Sequence, residues 1–216
     1  MFKIRSKRAF TLAEVLVTLA VIGVIASLTI PPLVKSYEKR EWISGYKSTY
    51  SIVNRATRMI MADNNGTLLG VWDATAGDHI GMYQAYIPFL KTIKKCENQD
   101  PGGNCFASQY YDLMGGGSTV NALYSVILSN GSSLAFFSWP GGSGIYIDMN
   151  GGKGPNTYGK DFHSIHIYAN SDPIKPYGYD QDESSITTNC SSNLGATGVG
   201  IHCGVRILRG DYAEDY

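Results

Sequence analysis

Lys7-Arg8-Ala9-Phe10-Thr11-Leu12-Ala13-Glu14-Val15-Leu16 is the stretch where a basic leader gives way to an apolar helix, and its reading decides the fold. Before it stand Lys3 and Arg5, and no acidic residue precedes Glu14. After it the apolar run continues to Ile30, with Glu14 as its only charge. At about 1.5 Å per residue, a helix over Phe10–Ile30 matches the roughly 30 Å hydrocarbon core of a bilayer. The leader is purely basic, whereas Lys35, Lys39 and Arg40 are diluted by Glu38 and Glu41 beyond the span. That asymmetry places the N-terminus in the cytoplasm and the body outside.

Three ordinary explanations each leave something over. A secretory signal peptide accounts for the charges, but the run is too long and no small-x-small cleavage site precedes a body. The nearest candidate, Ala26-Ser27-Leu28, lies inside the run. A plain anchor accounts for the length but not for Glu14. An acidic group near mid-span costs about 2.5–3.5 kcal/mol and usually marks function. A buried core helix of a soluble protein leaves the basic leader unexplained.

Basic leader, small residue, Phe-Thr-Leu, glutamate and apolar run together resemble the N-terminus of type IV prepilins and type II secretion pseudopilins. The resemblance covers about the first 40 residues. It implies a prepilin peptidase that cuts between Ala9 and Phe10 on the cytoplasmic side and methylates the new terminal amine. The family usually carries Gly before the cut, and Ala9 is small enough for the same role. Glu14 becomes the fifth residue of the mature chain, where the family has its glutamate. In a stack of identical helices, Glu14 of one subunit would accept from the Phe10 amine of the next, since two charges in apolar surroundings are costly unless paired. Gly23 and Pro31-Pro32 are expected to interrupt the helix at its middle and end. They loosen it on packing, as the resemblance implies, or simply mark where the chain leaves the bilayer.

From Leu33 to Ala62 the pattern is amphipathic: Trp42, Tyr46, Tyr50, Val53, Ala56 and Ile60 recur every three or four residues. Asn64-Asn65-Gly66 supplies a stop. A second, short helix is expected over Met82–Lys95. Strands are expected over Ala122–Ser129 and Ser133–Trp139, joined by the turn Asn130-Gly131-Ser132. Further strands are expected over Gly144–Met149, Ser164–Tyr168 and Gly204–Leu208. The resulting division is a cleaved leader, 1–9; a transmembrane and assembly half-helix, 10–32; and an amphipathic half-helix with an extracytoplasmic domain, 33–216. The fold class is α+β and pilin-like: one long helix packed on a small antiparallel sheet with glycine-rich loops.

Four cysteines fall into two local pairs by position, Cys96 with Cys105 and Cys190 with Cys203, and suit disulfides in an oxidising compartment. Spacing alone does not fix the pairing, and the intervals match no zinc template. Asp148, Asn150, Asn156 and Asp161 offer oxygens on a glycine-rich loop. They read as a calcium site or as Asp and Asn capping turns through their own backbone. Asp180, Asp182 and Glu183 read as a solvated acidic loop. His163 and His166, three apart on a strand, point to opposite faces and cannot share a metal.

Without the leader the chain has 14 basic and 18 acidic side chains, a poor match for nucleic acid. There is no nucleophile motif and no phosphate-binding loop, so no enzyme is expected. The expected role is a structural subunit of a type IV pilus or a type II secretion pseudopilus, with prepilin peptidase, like subunits and the inner membrane as partners. The alternative is a minor or tip pilin whose body binds a ligand or surface, for which Gly141 to Asp161 is the long exposed loop to consider.

Overall fold

The computed structural model describes residues 10–73, 77–97, 105–107, 109–120, 124–140, 142–169, 172–191 and 200–211. Ala9, Ala122 and Gly141, named above, lie outside these residues. The chain divides into two compact units, 1–41 and 42–216.

In the first unit, helix α1 (Leu12–Asp63, continuing into the second unit) exposes its apolar side chains, with Leu12, Leu19, Ile22, Val24 and Leu28 all more than half exposed. By length and composition this helix could cross a membrane. It runs as one α-helix through Gly23, Pro31 and Pro32, so the expected interruption is absent from this conformation. Each proline removes one backbone bond, but the bonds on either side of the pair keep the helical path. Nothing lies within 4 Å of a Cβ placed on Gly23, so packing does not explain that glycine here.

In the second unit α1 buries Tyr46, Thr49, Val53, Ala56, Thr57 and Ile60, which recur every three or four residues as one face of a helix. Fully burying an aliphatic side chain such as Val53 or Ile60 contributes about 1.5–3 kcal/mol. Two polar residues share this face because their hydroxyls find partners. Thr57 Oγ1 donates to Val53 O (2.9 Å) and lies 2.7 Å from Tyr86 Oη, while Thr49 Oγ1 donates to Ser132 Oγ (3.0 Å).

The strands are β1 (Thr92–Glu97), β2 (Gln109–Tyr111), β3 (Gly117–Thr119), β4 (Tyr124–Leu128), β5 (Ser133–Trp139), β6 (Gly142–Asp148), β7 (Phe162–Ile167) and β8 (Ile174–Pro176). An antiparallel sheet of order β1-β4-β5-β6-β7-β8 forms the body, and β2 with β3 makes a separate small hairpin. Val126, Leu128, Leu134, Phe136, Ile145, Ile147, Ile165 and Ile167 of the large sheet join the α1 face in one core. The turn at Asn130-Gly131 closes β4 onto β5, with Gly131 at φ +88, a conformation that favours glycine.

Two expected elements differ. Met82–Lys95 is not one helix: α2 (His79–Tyr86) passes into a 3₁₀ turn, Ile87–Phe89, and β1 then pairs with β4. Pro88 lies inside that turn, and Leu90 turns extended at φ −109, ψ 133. Exposed Lys94 and Lys95 on this edge strand discourage pairing with another chain. Gly204–Leu208 is no strand but part of helix α4 (Cys203–Arg209). A short apolar run is ambiguous by periodicity, and here Gly210 at φ +87 caps a helix with Arg206 and Arg209 in its last turn.

Candidate functional site

At the start of α1 the side chains of Thr11 and Glu14 cap each other. Glu14 Oε2 accepts from the Thr11 backbone N–H (2.8 Å) and from its hydroxyl (2.9 Å), and the Glu14 N–H donates to Thr11 Oγ1 (3.2 Å). This is the reciprocal capping box of a Thr-x-x-Glu sequence, and it satisfies donors that helix starts leave unpaired. The spacing Thr11-x-x-Glu14 is the sequence signal for it, and the charge reading of Glu14 passes it over. Glu14 Oε1 accepts no bond among the described residues. Phe10, just before the box, is 86% exposed.

Residues 4–30 match the model of the prokaryotic N-terminal methylation motif. That motif is the signature of prepilin-type type IV pilin and pseudopilin proteins. This chain carries a prepilin-type N-terminus. No curated protein and no solved structure matches the chain. Beyond the prepilin motif the body therefore speaks through its geometry: a long helix followed by a small antiparallel sheet, a pilin-like α+β fold. A prepilin motif points to a structural protein rather than an enzyme, and it implies processing by prepilin peptidase and assembly with other pilin subunits. One long apolar N-terminal helix fits membrane anchoring.

In the pilin-like body, the stretch Gly141 to Asp161 is not one exposed loop. Residues 142–148 form β6, whose burial leaves 149–161 as the loop proper. Asp148 and Asp161 are fully buried at its base. Asp148 Oδ1 accepts from the N–H groups of Asn150 and Gly151, and Oδ2 from Gly152 N–H (3.1 Å) and the Tyr110 hydroxyl (2.8 Å). Asp161 Oδ1 accepts from Thr157 N–H (2.7 Å), and Oδ2 from Asn156 N–H and Asn150 Nδ2. Burial pushes Asp148 up to about 6, outweighing the pull of these donors, and raises Asp161 as well. Burial, with the Asp148 carboxylate beside it, raises Tyr110.

The calcium reading requires these same oxygens. Asn150 Oδ1 and Asn156 Oδ1 are buried without a partner, which gives two neutral oxygens. All four carboxylate oxygens, however, already accept N–H donors of the loop. Among the described residues no group of three or more His, Cys, Asp and Glu side chains could hold a metal ion. The arrangement is that of a loop folded on its own carboxylates, with Asp and Asn capping its turns.

Disulfides join Cys96 to Cys105 and Cys190 to Cys203. Asp180, Asp182 and Glu183 are exposed, as a solvated acidic loop requires; Asp180 lies 3.7 Å from Lys175 Nζ, Glu183 pairs with Arg209 at 2.9 Å, and Asp182 caps helix α3 (Glu183–Thr188) through Ser185 N–H. His163 and His166 sit on opposite faces of β7. His163 is buried against the Tyr46 ring at 4.2 Å, and His166 faces Tyr177 at 4.6 Å. Burial pulls His163 down to about 4.

Proposed function

We propose that the chain is a filament subunit of a type IV pilus or a type II secretion pseudopilus. In this reading prepilin peptidase cuts between Ala9 and Phe10 and methylates the Phe10 amine. The apolar half of α1 then holds the subunit in the inner membrane with the body outside. The observation that carries it is the methylation motif over residues 4–30 leading directly into a helix whose apolar side chains have no cover in the single chain. Such a surface needs lipid or like helices around it.

Assembly uses Glu14 twice. Oε2 keeps the capping box closed within the subunit, while Oε1 accepts from the Phe10 amine of the neighbouring subunit. In the body, we infer that the 149–161 loop is self-supporting and that no calcium is needed to order it.

Intact mass and N-terminal sequencing of protein from the native host test this. A chain beginning at methylated Phe10, recovered in the polymer sheared from cells, is the expected result. A chain beginning at Met1 and confined to the membrane would make α1 a plain anchor.

A further inference from the structure

The sequence contains Asn-x-Ser/Thr three times: Asn65-Gly66-Thr67, Asn130-Gly131-Ser132 and Asn189-Cys190-Ser191. Such a triplet accepts an N-linked saccharide only where the carboxamide can be reached from outside. The three differ sharply in this respect. Asn130 donates to Thr49 Oγ1 (3.2 Å) and accepts from the Ser132 N–H and hydroxyl, and Ser132 itself is buried. Asn189 donates to Ser185 O (2.9 Å) and precedes Cys190, which is buried in a disulfide.

Asn65 lies at the tip of the turn that ends α1, exposed and at φ +53, and no hydrogen bond among the described residues holds its side chain. The turn itself is fixed by other groups: Gly66 N–H donates to Met61 O (2.7 Å), and Asn64 Nδ2 donates to Thr67 O (2.8 Å). Nothing lies within 4 Å of a Cβ placed on Gly66 or Gly70, so the space around the tip is open. The Thr67 hydroxyl, which a transferring enzyme must also engage, accepts from Leu69 N–H (3.1 Å) within the same turn, and its own donated bond, to Ala169 O, is long at 3.4 Å.

We propose that Asn65 is a site of N-linked glycosylation, modified on the outer side of the membrane from a lipid-pyrophosphate-linked saccharide. In the transfer, Asn65 Nδ2 attacks the anomeric carbon and a C–N bond forms. The C–O bond to pyrophosphate breaks, the amide proton passes to a base on the enzyme, and the lipid pyrophosphate leaves. The proposal rests on the body being exported, as in the reading above.

Peptide mapping of the protein from its native host tests it. The expected result is a mass increase of whole sugar residues on the peptide containing Asn65, with the Asn130 and Asn189 peptides unmodified. Thr67→Ala should abolish the increase, Thr67→Ser should keep it, and Asn130→Gln should not affect it. An unmodified Asn65 in protein that starts at Phe10 with both disulfides formed overturns the proposal while leaving export intact. Protein starting at Met1 with free thiols overturns export and the proposal together. Sugar on Asn130 instead would overturn the argument from geometry.

Discussion

Glu14 Oε2 accepts both the backbone N–H of Thr11 (2.8 Å) and its hydroxyl (2.9 Å), while Oε1 accepts no bond among the described residues. Two roles for Glu14 can therefore be separated. Glu14→Gln keeps an acceptor for the box and removes the charge. It is expected to insert in the membrane normally and to lower sheared filament at least tenfold, measured by immunoblot of sheared and membrane fractions. Thr11→Ala keeps the charge and loosens the helix start by about 0.5–2 kcal/mol, with filament largely retained. Normal filament from Glu14→Gln would leave capping as the whole role of this residue.

The two burial-shifted groups at the base of the sheet give opposite pH dependences. His163 has its folded value lowered from 6.5 to about 4, so the folded state binds fewer protons between these values. Its contribution is present above about 6.5 and is lost as pH falls toward 4. Asp148 has its folded value raised from 3.8 to about 6, so its contribution is present below 3.8 and lost as pH rises through 6. Each shift corresponds to about 3 kcal/mol. In the wild type the two largely cancel between pH 4 and 6. Denaturant melts of the detergent-solubilised chain should show stability falling more steeply on acidification in Asp148→Asn than in the wild type. A His163→Phe variant should instead gain stability on acidification. Parallel curves for all three proteins would refute both assignments.

Much of this architecture can be read locally. The Phe10–Ile30 run, the α1 stripe and the Ser133–Trp139 strand with its Asn130-Gly131 turn all announce themselves by period or turn chemistry. What escapes reading depends on distant partners. Thr49 and Thr57 look like surface residues until Ser132 and Tyr86 supply their hydroxyls with partners, and those residues lie far along the chain. β2, β3 and β8 are three residues each, too short for any period. In the loop, the sequence names Asp148, Asn150, Asn156 and Asp161 correctly as a group but cannot tell an ion from backbone donors as their common partner. The Thr11-Glu14 box is legible by its spacing alone, although the charge in an apolar run draws attention to the membrane first.

The disulfides close intervals of 9 and 13 residues. Losing either is expected to cost about 2–4 kcal/mol. Cys190→Ala with Cys203→Ala should do more damage than Cys96→Ala with Cys105→Ala. Both Cys190 and Cys203 are buried, and Cys203 packs beneath Gly159. Thermal melts with and without reductant check this: the wild type should drop on reduction and the two double variants should each drop by part of that amount. Insensitivity to reductant would mean the bridges add nothing to the folded body.

The loop carboxylates allow a sharper test than composition does. If Asp148 and Asp161 fold 149–161 by accepting its N–H groups, then Asp161→Ala removes the acceptor for Thr157 N–H, Asn156 N–H and Asn150 Nδ2 together. Leaving buried donors unpaired costs about 1–3 kcal/mol apiece at most, so a loss of several kcal/mol is expected, shared with partial relaxation of the loop. Calcium and chelator should leave the wild-type melting midpoint unchanged, because the charged oxygens an ion would take are already engaged. A chelator that lowers the wild-type midpoint to that of Asp161→Ala would mean these oxygens turn from backbone to an ion, with Asn150 Oδ1 and Asn156 Oδ1 completing its shell.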